Sequence, residues 1–286
     1  MNKYYIHLSG GVGDCLFPYF IGRQLRQSTC GGMGFLHKIH KDDYVKIIAH
    51  PSQKESIKEF FKYDPRISEI KELYWRDPNK PCTNEKTESE GFVKLDNYGI
   101  QQNWERKPNK QIYTSKEDNK IIENIINKGP FVLMHPFAGE AIRIPFSTEM
   151  QSELIEAISN EFNCNIVMVG ATHHRDINKS LIIRENCIFK SDRFINLVNK
   201  GNFRISAKLV QLAKAIVVTH SVVFCVASHG ETPCVVTIRD KCWTGFAREK
   251  IQNVFIKKDK TQVLLTQGLT TAQIKAEVLK CLHQTI

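Results

Sequence analysis

Several features that would assign this chain quickly are missing from it. No apolar run approaches the roughly 20 residues that cross a bilayer, so no transmembrane anchor is expected. The first residues enter a strand without an apolar region and small-residue cleavage site, so no signal peptide is expected and the cytoplasm is the expected compartment. Cysteine is plentiful, nine in all, yet no two form a Cys-x-x-Cys pair, which argues against a zinc knuckle or a thioredoxin-type site. The odd count and scattered positions fit a reducing compartment, and Cys164, Cys225 and Cys234 sit in apolar stretches as small core residues. There is no Asp-x-Asp motif, no Arg/Lys tract interleaved with aromatics, no internal repeat and no low-complexity segment.

What remains is an ordinary globular composition. The chain has 286 residues, 42% hydrophobic and 24% charged, which suits two domains of common size. The formal net charge of +10 favours anionic partners: nucleoside diphosphates, phosphorylated glycans, acidic membrane surfaces or nucleic acid.

Strand and helix alternate along most of the length. Strands are expected over 4–8, 45–49 and 67–73, with helices after the first strand and over 53–62. From 75 to about 115 the pattern dissolves into polar turns, read as a long surface excursion. A helix over 117–127 ends at Lys128-Gly129-Pro130. Strands then follow over 131–134, 166–169, 215–218, 233–238 and 254–256. Helices are expected over 148–161, 205–213, 221–228 and 271–282, the last capped near Thr270 or Thr271. The fold class is therefore α/β, with two Rossmann-like domains, 1–128 and 129–286, facing a cleft and parallel sheets carrying sites at the carboxyl ends of their strands.

The most informative of those strand ends is His7-Leu8-Ser9-Gly10-Gly11-Val12-Gly13-Asp14. Glycines at 10, 11 and 13 let a ligand approach the backbone, and the amides of a turn entering a helix suit an anion. Asp14 is either the cap of that helix or a carboxylate poised against a substrate hydroxyl. The loop lacks the later third glycine of a dinucleotide fingerprint and the Gly-Lys-Ser/Thr of a Walker loop. In the second half, the strand ending at His135-Pro136 runs through a small-residue loop to Arg143, a forked cation suited to phosphate. Gly170, Ala171 and Thr172 end the next strand, and the adjacent His173-His174 cannot share a helix face to bind metal. Thr219-His220-Ser221 aims hydroxyls and amides at the start of a helix, a diphosphate seat.

Taken in order, these segments resemble the heptosyltransferase-like glycosyltransferases, the ADP-heptose:lipopolysaccharide transferases of the GT-B fold. Gly-Gly-Val-Gly-Asp-Cys-Leu-Phe resembles that family's N-terminal Gly-Asp-x-Leu turn, whose aspartate is taken as the base. Val45 onward through Asp64-Pro65-Arg66-Ile67 resembles its second strand, Pro-Ser-Gln helix and Asp-Pro-x-Ile entry. His135-Pro136 to Pro145 resembles its His-Pro-Gly segment with Arg143 as the basic residue, and Leu209 to Pro233 its Asp-Ser-Gly-x-x-His stretch. This chain differs there, with His220-Ser221 for the acid and its neighbour, Val222 for glycine and Cys225 for histidine.

The resemblance implies Asp14 as catalytic base and Gly11, Gly13, His135, Arg143, Gly170, Thr172, Thr219, His220 and Ser221 around the donor. It implies an inverting, metal-independent transfer of a sugar from a nucleotide-diphosphate donor, a co-substrate, with no cofactor. The expected acceptor is anionic, a glycan or lipid-linked saccharide at a peripheral membrane contact. Two alternatives stay open: hydroxymethylated bases of viral DNA as acceptor, or nucleotide-sugar binding without catalysis.

Overall fold

The computed structural model describes residues 1–8, 12–22, 30–73, 83–109, 111–137, 147–170, 191–219, 221–229, 231–238 and 260–286. The chain divides into two compact units, Met1–Ser115 and Lys116–Ile286. The sequence places the division after Lys128. The helix just before that point instead packs into the second unit, because its Asp118 is buried against Arg204 (Nε to Oδ2, 3.0 Å) and takes a hydrogen bond from Asn202 (2.6 Å).

In the first unit, β1 (Lys3–Leu8), β2 (Tyr44–Ala49), β3 (Glu69–Glu72) and β4 (Val93–Lys94) form a parallel sheet in the order β3-β2-β1-β4. β1 and β2 are buried along nearly their whole length, as a parallel sheet covered on both faces requires. Helix α1 (Val12–Ile21) follows β1, and a 3-10 helix over Cys30–Lys38 precedes β2. Helix α2 (Pro51–Phe61) begins two residues before its expected start. His50 caps it by accepting from the Ser52 amide, and Pro51 occupies the first turn, where its missing N–H costs nothing. α1 and α2 pack side by side through edge-on contacts of Tyr19 with Phe60 and Phe61, and of Phe20 with Phe60.

The expected polar excursion carries regular elements of its own. It contains α3 (Thr83–Ser89), β4 and α4 (Leu95–Gln101), and β4 extends the sheet at β1. Side-chain contacts hold this segment where hydrophobic periodicity does not. The Tyr5 hydroxyl bonds Glu88, and the buried Lys46 ammonium bonds Glu90 (2.8 Å) and lies over the Phe92 ring (3.9 Å). Arg106 clamps Asp96 (2.7 Å).

In the second unit, α5 (Lys116–Ile126) is followed by β5 (Phe131–His135), α6 (Thr148–Phe162), β6 (Asn165–Met168) and β7 (Phe194–Asn196). Then come α7 (Phe203–Leu212), β8 (Ala215–Thr219), α8 (Val222–His229), β9 (Cys234–Ile238), β10 (Thr261–Leu265) and α9 (Thr271–Thr285). Ser147 caps α6, Asn202 caps α7, and Thr270 closes a capping box with Gln273 at α9. The six strands are parallel in the order β10-β9-β8-β5-β6-β7. The core beneath them joins Val132, Met134 and Val217 to Leu154, Ile155 and Ile158 of α6 and Val278 of α9. Cys164, Cys225 and Cys234 are buried, and burial raises the Cys164 and Cys234 thiols above their ordinary values. β7 and β10 were not expected from the sequence, and the strand expected over 254–256 lies outside the described residues. Among the described residues no helix is long and apolar enough to cross a membrane.

Candidate functional site

Counted within the second unit, β5 to β10 are the first to sixth strands, so the sheet order is the doubly wound 3-2-1-4-5-6. The order reverses between β5 and β8, and in such sheets a ligand crevice opens beyond the carboxyl ends of those two strands. The residues found there are His135, which ends β5, and Thr219 and Ser221, which end β8 and lead into α8. The Ser221 hydroxyl is hydrogen-bonded to His135 Nδ1 across the reversal (3.1 Å). His135 is buried, and the Nδ1 contact fixes how its ring is turned. Thr219, fully buried, donates its hydroxyl to the Phe137 carbonyl (2.7 Å), which ties the segment after β5 to the end of β8.

Gly170 is built into the same edge. A methyl group there would lie 2.5 Å from the Phe137 ring, so the absence of a side chain is what lets that ring seat against the end of β6. The Gly170 carbonyl accepts from the Asn199 amide (3.0 Å), and the Phe137 ring stands edge-on to His135 at 5.8 Å. Four of the expected donor residues, His135, Gly170, Thr219 and Ser221, are thus gathered at one end of three adjacent strands. Phe137 and Asn199 complete the wall and were not among the expected residues. A lone glycine ending a strand, with a His-Pro-Phe turn elsewhere in the sequence, is the signal that could have found the first of them.

In the first unit the order β3-β2-β1-β4 reverses between β1 and β4. The glycine loop follows β1 there, so it too leaves from a switch point. α1 begins at Val12, which puts Gly13 and Asp14 in its first turn and removes the reading of Asp14 as the cap. An acid in that turn is favoured by the helix dipole. The side chain of Asp14 lies outside the described residues, as do Gly11, Arg143, Thr172 and His220. His7, on β1 one residue before its end, is buried. Burial, followed by the nearby Lys94, holds its imidazole below the ordinary value. His50 follows the neighbouring strand β2, and its Nδ1 accepts from both the Ser52 amide (3.3 Å) and hydroxyl (2.9 Å). Neither His50 nor Ser52 was among the expected site residues. Among the described residues no group of three or more His, Cys, Asp or Glu is arranged to hold a metal ion.

No protein-family description matches the sequence, and neither does any curated protein. Solved structures do match. ADP-heptose lipopolysaccharide heptosyltransferase II of E. coli superposes with a TM-score of 0.59 over 99% of both chains at 13% identity. A family 9 glycosyl transferase of Veillonella parvula gives 0.59 over 99% of this chain and 97% of that one at 9% identity. The E. coli heptosyltransferase WaaC, solved with ADP, gives 0.53 over 99% of both chains at 9% identity. The chain therefore has the heptosyltransferase-like fold, an α/β architecture of two parallel-sheet units of the GT-B type.

Proposed function

We propose that the protein is a glycosyltransferase that moves a sugar from a nucleoside-diphosphate donor to a hydroxyl of a saccharide acceptor, with inversion and without a metal. The observation that carries this reading is the bridge between His135 and Ser221 over the switch point of a doubly wound sheet. It lies in a fold whose solved examples include enzymes named for ADP-heptose transfer and one determined with ADP. Nucleotide and diphosphate belong at that edge of the second unit, with His135, Gly170, Thr172, Thr219, His220 and Ser221 around them. The acceptor belongs to the first unit, beside Asp14, with Gly11 and Gly13 kept among the donor residues. The overall charge of +10 favours an acceptor that bears phosphate or carboxylate.

In the step itself the Asp14 carboxylate takes the proton of the acceptor hydroxyl. The freed oxygen pair forms the new bond to the anomeric carbon, and the carbon–oxygen bond to the diphosphate breaks with its electrons staying on the leaving group. One displacement from the face opposite the leaving group inverts the anomeric centre. Arg143 and the amides at the start of α8 meet the charge that develops on the diphosphate.

Asp14→Asn tests the assignment. Turnover should fall by about 100-fold or more while nucleotide affinity stays level, because the base acts only in the transition state. Wild-type turnover should persist in EDTA. Turnover retained by Asp14→Asn removes Asp14 from the mechanism.

A further inference from the structure

Helix α1 has a proline in its interior. Pro18 is buried and stands six residues after Val12, beyond the first turn, where proline is tolerated. An interior helical amide donates to the carbonyl four residues earlier, which here is that of Asp14. Pro18 has no N–H to donate, and its ring presses against that same carbonyl. The ladder bond that proline removes from α1 is therefore the bond to the Asp14 carbonyl.

The half of the helix beyond the proline is pinned. The Gly22 amide donates to the Pro18 carbonyl (2.9 Å), and Gly22 has a left-handed φ of +67°. The space where its side chain would stand is filled by Pro108 at 2.5 Å. Tyr19 is held from several directions. Its carbonyl accepts from the Asn109 amide (2.7 Å), and its hydroxyl donates to the Gln111 carbonyl (2.8 Å) and accepts from Arg66 (3.3 Å). Arg66 is itself fixed by Asp64 (2.6 Å) and Asn109 (2.8 Å). On the other side of the proline, Val12, Gly13 and Asp14 form the first turn of α1, and in sequence Gly10 and Gly11 precede them.

We propose that Pro18 is a positioning residue for Asp14. It uncouples the first turn of α1 from the pinned remainder, so that bound acceptor sets the carboxylate rather than the helix rod. The inference rests on Asp14 being the base. It gives Pro18→Ala an effect of opposite sign on stability and on activity. The variant regains the amide and its bond to Asp14, so its melting temperature rises. Its kcat falls by about tenfold or more, since small misplacements of a reacting group carry penalties of this size. Acceptor KM and nucleotide Kd change by no more than about twofold, a split that a structural role would not produce. Pro18→Leu, which restores the amide and fills the space, should behave alike and covers the case in which alanine leaves a damaging void. With Asp14→Asn inactive, unchanged kcat in both Pro18 variants overturns this inference alone. An active Asp14→Asn overturns the base assignment and this inference together.

Discussion

The two sheets bury different chemistry. In the second unit β5, β8 and β9 are buried at every position and carry Phe-Val-Leu-Met-His, Ala-Ile-Val-Val-Thr and Cys-Val-Val-Thr-Ile. The polar side chains among them stand at or next to the carboxyl ends, with His135 and Thr219 at the switch point. In the first unit β1 and β2 carry Tyr5, His7 and Lys46 within the strands, and Asp64, Asp96 and Asn109 are buried around them. One sheet concentrates its polar groups at an edge, where they can act on a ligand. The other spreads them through the interior, where they fasten loops. Buried polar position alone therefore does not mark a site in this molecule.

That contrast can be broken most directly at Asp64. Its carboxylate is buried and takes the Arg66 guanidinium through both oxygens (2.8 and 2.6 Å) and the Arg66 amide (3.0 Å). The contacts and charge of Asp64 raise Arg66 against the opposing effect of burial. Asp64→Ala leaves that guanidinium without its counter-charge beside the Tyr19 ring, and should cost about 3–5 kcal/mol in denaturant unfolding. Nucleotide affinity of the folded variant should not move, because this knot belongs to the first unit. A loss of nucleotide binding in the folded variant would show that the interior polar groups are not merely fasteners.

The corresponding change in the second unit is Gly170→Ala. The added methyl meets the Phe137 ring at 2.5 Å, and overpacking of this kind costs about 1–3 kcal/mol. Here the two readouts should move together. Displacing Phe137 disturbs the carbonyl that Thr219 holds and the ring that stands against His135, so nucleotide affinity should fall along with stability. Unchanged affinity by calorimetric titration would take Gly170 out of the donor site.

The same division explains how far the sequence could be read. Strands of unbroken Val, Ile and Leu, and the cap at Thr270, announce themselves through period and local hydrogen bonding. So the second unit was legible in outline, with the carboxyl-edge placement of His135, Gly170, Thr219 and Ser221. β4 has only two residues and β7 three, too short for any period to show. The segment holding β4 is fixed by Glu88 and Glu90 reaching Tyr5 and Lys46, contacts some 40 to 80 residues apart in sequence. Nothing in a run of Lys, Thr, Glu and Ser predicts such partners. The break at Pro18 was visible as a residue but acquired meaning only with the bounds of α1. The division after Ser115 reflects the packing of α5 on α7, with Asp118 buried against Arg204, and no local signal contains such a contact.

The smallest expected effect separates the units by proton uptake. His7 and His37 of the first unit both lie below the ordinary imidazole value of 6.5, each chiefly through burial. Lys94 adds to the lowering of His7, and for His37 the bond to the Gly34 carbonyl works the other way. Above pH 6.5 both rings are neutral folded or unfolded, so they leave stability independent of pH. Below it the unfolded chain binds protons that the folded chain refuses, and stability is lost as pH falls from 6.5 through the depressed folded values. Melting temperature measured from pH 7.5 down to 5.5 should therefore decline gradually. A double variant, His7→Gln with His37→Gln, should flatten the curve, since glutamine leaves no proton to bind. If the wild-type curve is level or rises on acidification, burial does not hold these rings neutral. The polar interior of the first unit would then lie in contact with water rather than sealed beneath its loops.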